Sequence, residues 1–481
     1  MMTPTKKSQP KFSTDFLHEA LAPLAFGSEV KSANWICTDS RAVDENALFI
    51  ALHGERIDAH DFVDEKLLQK AAGTVVHRQV LGGKNRVVVV KDTERALQDL
   101  AHAHLMRMPA LRIGLTGSNG KTTTKELLAG ILSHACETNG SGDEQVLATK
   151  GNFNNHIGLP LTAFDVDSHH RFVVLEMGMN HKGEIARLAE IAVPQVGLIT
   201  NLGSAHAGNL GGKAGVAEAK GELFASLVDT RGTCVSCADD EVMMQLIPEV
   251  LREGALTFGE HENATVCLRD CSLQESGGQN LEFEIAGERF YSSLQLEGRH
   301  NAMNAAAAVA AAMALGISAA KATQGLANVG TPPGRLQRKK STSGGLVLDD
   351  SYNANPDSMM AGLKTLDELD TSGKQIAALG EMLELGDEAE QAHEKLGREC
   401  AHASLVQLFV CGDLGKDIAR GAMSAGLAEE YIHWAEDSEK LALLIKVLAP
   451  AGASWLVKGS RGSRMERVSS VLTADVEKEG R

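Results

Sequence analysis

Residues 113–115, 172–175 and 196–199 are short, uninterrupted apolar runs, and each stops at polar residues: Thr116, Glu176 and the pair Thr200-Asn201. Runs without polar alternation predict strands covered on both faces, as in a parallel sheet flanked by helices. Ligands of such sheets collect at the carboxyl ends of the strands, so all three polar exits fall on one edge. A strand-rich patch follows at 256–296, where Leu281-Glu282-Phe283-Glu284-Ile285 alternates with a period of two. The alanine-rich stretch 301–315 predicts a helix stopped by Gly316. Thr331-Pro332-Pro333-Gly334 marks a linker. Beyond it, runs at 346–348, 376–379, 406–410 and 455–457 alternate with helical stretches and predict a second, smaller doubly wound sheet. Ahead of residue 93, short helices and strands end in Arg86-Val87-Val88-Val89-Val90. The expected class is α/β in three domains, 1–92, 93–330 and 331–481, and 481 residues is more than one typical core accommodates.

The first apolar run leads into Thr116-Gly117-Ser118-Asn119-Gly120-Lys121-Thr122-Thr123-Thr124, and a helical stretch follows. Strand, glycine loop and helix together aim backbone N–H groups and the positive end of a helix dipole at a phosphate. Lys121 then neutralises the outer phosphates, and the Thr122 hydroxyl is placed for Mg2+. Leu115 stands where the full Walker consensus has its first glycine, so the pattern alone also admits an ordinary glycine-rich turn.

Composition narrows the class without naming the chemistry. Hydrophobic residues make up 43% and charged residues 23%, as in ordinary globular proteins. A net charge of −16 argues against nucleic acid as a partner, and an anionic ligand must be held by local cations and amides. No signal peptide is visible at the start, and the longest apolar run, 305–315, falls short of the roughly 18 residues a membrane span needs. The eight cysteines are irregularly spaced, which fits reduced thiols in a cytoplasmic protein. Cys234 and Cys237 sit in an alternating, strand-like stretch, so a zinc pair is the weaker reading of them.

Four further features lie downstream of the loop. Residues 151–160 gather Asn152, Asn154, Asn155 and His156 among turn-formers, which composition alone reads as a surface turn. Glu176 closes an apolar strand, either as a solvated strand end or as a carboxylate completing the Mg2+ coordination that Thr122 begins. His206 follows the third strand, and a lone loop histidine is more often structural. Lys220, in Ala219-Lys220-Gly221-Glu222, by itself reads as an exposed helical lysine.

Taken in order, these pieces resemble the Mur ligases of bacterial cell-wall synthesis, over nearly the whole chain. The motifs that carry the resemblance are the phosphate loop, residues 151–160, Glu176 with Gly183-Glu184-Ile185, the stretch from Asn201 to His206, Ala219-Lys220-Gly221-Glu222, Gly298-Arg299-His300-Asn301 and residues 349–356. Within the family, residues 47–56, 58–62, 350–355 and 457–461 are similar to the member that adds D-alanyl-D-alanine to UDP-N-acetylmuramoyl-tripeptide.

The resemblance implies a UDP-sugar-binding domain at 1–92, a P-loop-like ATP-binding domain at 93–330 and a Rossmann-like ligase domain at 331–481. It implies that Thr116, Gly117, Ser118, Asn119, Gly120, Lys121, Thr122 and Thr123 cradle the ATP phosphates. Thr122 and Glu176 hold one Mg2+, and His206 and Lys220 help to hold a second. Lys220 is carbamylated in this reading, because a carbamate can face a metal that would repel an ammonium. Asn301 or Asn304 meets the adenine, Asp350 accepts from the ribose hydroxyls, and Arg335 reaches the γ-phosphate. Thr38, Asp39, Ser40 and Arg41 contact the UDP-sugar, and Asn154, Asn155, Asn353 and Asn355 lie among the substrate-binding residues. The partners implied are UDP-N-acetylmuramoyl-tripeptide and D-alanyl-D-alanine, with no nucleic acid, no membrane span and a monomeric chain.

The implied reaction is amide formation driven by ATP through an acyl phosphate, with domain closure completing a site whose residues come from two blocks. Two other readings stay open. One is a sibling ligase, or a folylpolyglutamate-type synthetase, adding a single amino acid. The first-domain stretch 47–62 argues against the folate relative, which lacks a UDP-binding module. The other is a nucleotide-binding scaffold without turnover, against which Lys121, Thr122, Glu176, His206 and Lys220 stand together.

Overall fold

The computed structural model of the protein describes residues 11–473, apart from 55, 81–83, 138–142, 204–209, 211, 276 and 371–372. Three sheets, each mostly parallel, follow one another along the chain. The first has the order Ala25–Phe26, Val87–Val89, Gly73–Val76, Ala47–Ile50, Trp35–Cys37, antiparallel only at its first pair.

The central sheet has nine strands. Its parallel part runs Val266–Leu273, Leu256–Gly259, Thr233–Cys237, Val196–Ile199, Leu111–Thr116, Phe172–Glu176, Val146–Ala148. Gln279–Ile285 and Glu288–Leu294 extend it antiparallel at one edge. The apolar runs at 113–115, 172–175 and 196–199 are adjacent strands here. Their register places Leu115 opposite both Glu176 and Leu198, and Thr116 opposite Ile199. The phosphate loop, Glu176 and Thr200-Asn201 therefore leave the sheet at one level, as the polar exits predict.

The third sheet has the order Gln337–Lys340, Leu346–Asp350, Ser454–Lys458, Gln375–Leu379, Leu405–Cys411, Ile432–Ala435, antiparallel only at the first pair. Separate apolar clusters cover its two faces, one around Leu348, Leu379 and Leu408 and the other around Phe409, Trp455 and Val457. That is the doubly wound layer arrangement expected from the alternating runs. Gln337–Lys340 and Ile432–Ala435 carry no continuous apolar run, because edge strands bury less of themselves and read as polar.

Phe12 ties the first domain to the central one. It is fully buried, and its ring lies 5.7 Å from Phe164, edge on. The alanine-rich helix Arg299–Ala314 packs against the helix Lys121–Cys136 that follows the phosphate loop. Ala305, Ala306, Ala307 and Ala308 are fully buried, so small side chains on every face let neighbours approach the helix closely. A larger residue has no room there: Ala308→Leu is expected to cost about 1–3 kcal/mol by overpacking, read as a lowered denaturation midpoint with unchanged m-value. Among the described residues no helix is long and apolar enough to cross a membrane.

Candidate functional site

Gly120 caps the helix Lys121–Cys136 with a left-handed backbone, φ 76°, which a side chain would strain. Gly117 has a different reason to be glycine, since a Cβ there would collide with the Thr200 hydroxyl. The loop between them is held from the next strand. Asn201 Oδ1 accepts from the Asn119 N–H at 2.9 Å, and Asn201 Nδ2 donates to the Asn119 carbonyl at 2.9 Å. The Thr200 hydroxyl donates to the same carbonyl at 2.6 Å. Lys121 Nζ donates to the Gly117 carbonyl at 2.6 Å and the Ser118 carbonyl at 3.3 Å. Burial lowers its pKa from the ordinary lysine value, Glu176 and Glu384 oppose that, and Arg335 adds to it.

Glu176 is 2% exposed, so it is not a solvated strand end. Its Oε1 accepts from Asn154 Nδ2 at 2.8 Å, while Oε2 is buried with no hydrogen-bond partner among the described residues. An orphaned carboxylate oxygen at the level where the phosphate loop leaves the sheet suits a hard divalent cation. Among the described residues no group of three or more His, Cys, Asp and Glu gathers around a point. Asn155 serves the local backbone. Its Oδ1 accepts from the Gly158 N–H at 2.8 Å and the Ile157 N–H at 3.2 Å at the start of the helix Gly158–Phe164.

Lys220 lies on the helix Lys213–Ser226, as its context predicts, but it is buried, 1% exposed, rather than on the surface. No carboxylate among the described residues pairs with it. Burial pushes its pKa well below the ordinary lysine value, and the nearby Lys121 charge pushes the same way. A buried amine with a like charge beside it carries an enlarged neutral fraction, the form that adds carbon dioxide. His206 lies outside the described residues.

The third domain supplies the other wall. Arg335 Nη2 donates to Thr122 Oγ1 at 3.0 Å, across 213 residues of sequence, and its guanidinium lies 4.2 Å above the Tyr352 ring. Asn355 Nδ2 donates to Asn119 Oδ1 at 2.6 Å, and Asn355 also caps the helix Pro356–Leu369. Asp350 is 8% exposed. Its carboxylate accepts from Lys458 Nζ at 2.5 Å and from the Leu336 N–H at 3.2 Å. The Asn353 carbonyl accepts from Lys458 at 3.0 Å. Lys458 is thus a member of the site to which the sequence by itself attaches no role. Its signal is there: like Glu176, it is a charged residue closing an apolar strand.

Asn301 and Asn304 are buried. Asn301 Nδ2 donates to the Glu297 carbonyl at 2.7 Å, and the Asn304 amide abuts Gly120. Beside them a cavity of about 360 Å³ opens between the helices Arg299–Ala314 and Pro356–Leu369, lined by His300, Met303, Ala361 and Thr365 among others. Burial lowers the pKa of His300 to about 4, so its ring is neutral at pH 7.

Thr38, Asp39, Ser40 and Arg41 follow the strand Trp35–Cys37. Arg41 grips the Asp39 carboxylate at 2.7 and 2.9 Å and holds its pKa down at about 2. Among the described residues, no hydrogen bond or ion pair joins this turn to the phosphate loop. Cys234 and Cys237 are buried in the strand Thr233–Cys237, and burial pushes their thiols up to about 12 and about 11.

Two family models match, the Mur ligase middle domain at residues 115–312 and the Mur ligase, glutamate ligase domain at 334–461. The UDP-N-acetylmuramoyl-tripeptide–D-alanyl-D-alanine ligase of Bacillus subtilis is 36% identical over 440 residues, covering 90% of this chain and 92% of its own. That of Escherichia coli is 34% identical over 438 residues, covering 91% and 93%. A crystal structure of MurF from Acinetobacter baumannii superposes with a TM-score of 0.82 at 30% identity, covering 96% of this chain and 98% of that one. MurF from Thermotoga maritima in complex with ADP gives 0.79 at 30% identity, covering 93% and 98%.

Proposed function

The chain belongs to the Mur ligase family, and from that premise we propose that it joins D-alanyl-D-alanine to UDP-N-acetylmuramoyl-tripeptide with the hydrolysis of ATP. The products are the UDP-linked pentapeptide, ADP and phosphate, and the reaction belongs to peptidoglycan precursor synthesis in the cytoplasm. The observation that carries the reading is the joint between Arg335 and Thr122, which brings a cation of the third domain to the phosphate loop of the second. A scaffold that only held nucleotide would need no such joint. The domain boundaries belong to the same proposal, at 92/93 and 330/331, with Arg335 just beyond the second.

The phosphate loop from Thr116 to Thr123 binds the ATP phosphates, with Lys121 and Arg335 on the outer ones. Adenine occupies the cavity beside His300, next to Asn301 and Asn304, and Asp350 receives the ribose hydroxyls. Thr122 and Glu176 hold one Mg2+, and His206 with a carbamylated Lys220 helps to hold a second. When bound, Mg2+ supplies charge neutralisation on the phosphoryl oxygens.

A carboxylate is a poor acyl donor, because it is anionic and lacks a leaving group. Phosphorylation gives it one: the terminal carboxylate of the tripeptide attacks the γ-phosphorus and ADP leaves. The neutral amine of D-alanyl-D-alanine then attacks the acyl carbon, phosphate leaves and the amine proton is lost. Lys121 and Arg335 face the charge that builds in both steps. Thr38, Asp39, Ser40 and Arg41 take the UDP-sugar end, far along the same substrate, with Asn154, Asn155, Asn353 and Asn355 lining the path between.

The test is phosphate release from UDP-N-acetylmuramoyl-tripeptide and ATP with different amines. D-Alanyl-D-alanine is expected to drive turnover, whereas D-alanine alone and L-glutamate leave it at background. Equal turnover with a single amino acid would make the protein a sibling ligase.

A further inference from the structure

Lys125 is a fully buried charge in the central domain to which the reaction above assigns no role. It sits one turn below Lys121 on the helix Lys121–Cys136, so its side chain leaves the same helix face. Its residue exposure is 0%. An ammonium so placed must be satisfied locally, and two groups do so: Nζ donates to the Thr149 carbonyl at 2.6 Å and pairs with Glu126 Oε1 at 2.9 Å.

Thr149 is itself a junction. It follows the edge strand Val146–Ala148, and its N–H donates to the Val174 carbonyl at 3.0 Å. Its hydroxyl accepts from the Glu176 N–H at 3.0 Å. Five residues on, Asn154 Nδ2 holds Glu176 Oε1, and the Asn154 carbonyl accepts from the Gly178 N–H at 2.8 Å. Glu176 is therefore fixed at its backbone by Thr149 and at its carboxylate by Asn154. Both lie on the segment whose start Lys125 grips. No other side-chain cation bonds to the Thr149 carbonyl among the described residues.

Resting on the reading of Glu176 as a Mg2+ ligand, we infer that Lys125 is a positioning residue for the ligase reaction. Its ammonium pins Thr149 to the phosphate-loop helix and so sets where the Glu176 carboxylate stands relative to Lys121 and Thr122. A neutral or shorter side chain leaves helix and sheet packed but frees the 149–154 segment to shift. The carboxylate then meets the cation out of place. Groups that orient metal ligands are typically worth about 10–100-fold in metal affinity or activity.

The test uses the full chain carrying Lys125→Met, which keeps the apolar stem and removes the charge. Hydrogen exchange needs no substrate. Amides of 149–154 and 176–178 are expected to exchange at least about tenfold faster, while those of Val196–Ile199 in the same sheet keep their protection. In the phosphate-release assay, kcat is expected to fall by about 30-fold and the Mg2+ concentration for half-maximal rate to rise about tenfold, with KM for ATP little changed. Unchanged exchange at 149–178, or a uniform loss of protection with an unchanged Mg2+ requirement, overturns the assignment. If Lys125→Met does not fold, Thr149→Val decides. It keeps the carbonyl that Lys125 grips and removes the hydroxyl that holds the Glu176 N–H. The same rise in Mg2+ requirement supports the linkage, and an unchanged requirement overturns it. A wild-type enzyme indifferent to D-alanyl-D-alanine would remove the substrate reading and leave the exchange result standing.

Discussion

Lys121→Ala is expected to keep the fold and abolish ATP turnover. Among the described residues the side chain is bonded only to carbonyls of its own loop, Gly117 and Ser118, so its removal breaks no bond between domains. Its charge has a different standing. The loop's own remaining side chains, Ser118, Asn119 and Thr122, are neutral, the nearby cation Arg335 reaches it from the third domain through Thr122, and the net charge of −16 supplies no general attraction for a polyanion. Charge on the transferring phosphoryl group peaks in the transition state, and a fixed cation there lowers the barrier more than it aids binding. Phosphate release and the thermal midpoint of Lys121→Ala check this together. A variant with an intact midpoint and more than about a tenth of the wild-type rate, a loss of only ~1.4 kcal/mol, would remove Lys121 from the mechanism.

Lys220→Ala is expected to be nearly inactive, and a short carboxylate such as acetate is expected to restore part of the rate. The reason is the sign of the functional group. As an ordinary surface lysine, Lys220 would be replaceable within about 0.5 kcal/mol of stability. It is instead buried, without a carboxylate partner among the described residues and with Lys121 near enough to disfavour its protonation. Such an amine can take up carbon dioxide and become an anion, which suits a site that gathers cations. Acetate in the space vacated by Lys220→Ala replaces that anion. Lys220→Arg keeps a permanent positive charge and is expected to stay inactive. Near-normal turnover in Lys220→Arg would show that the residue acts as a cation and that no carbamate is involved.

The central sheet was legible because its strands announce themselves twice, as apolar runs and as runs that stop at polar residues. Leu111–Thr116, Phe172–Glu176 and Val196–Ile199 are all where those runs lie. Val146–Ala148 is also a short apolar run ending at a polar residue, Thr149, but it lies at the sheet edge with each residue only half-buried. Roles were harder to read than elements. Lys220 looks like any helical lysine, because its burial comes from the surrounding domain and not from Ala219 or Gly221. Asp350 is picked out by its motif, but its ion pair with Lys458 crosses 108 residues, and no local signal carries that distance. Lys125 is inconspicuous for the same reason, since its partner Thr149 stands on another element.

By itself the sequence determined what depends on neighbours along the chain. Gly120 permits the left-handed turn that starts a helix at Lys121, and unbroken apolar runs choose strands covered on both faces. The order of polar exits sets out a nucleotide site along one sheet edge. Only the tertiary structure decided what depends on neighbours in space. It buries Lys220 and Lys125, leaves one oxygen of Glu176 without a partner among the described residues, and brings Arg335 to Thr122 and Asn355 to Asn119. Charge and burial are properties of the surroundings a side chain ends in, and those surroundings exist only once distant helices, strands and domains have been packed against one another.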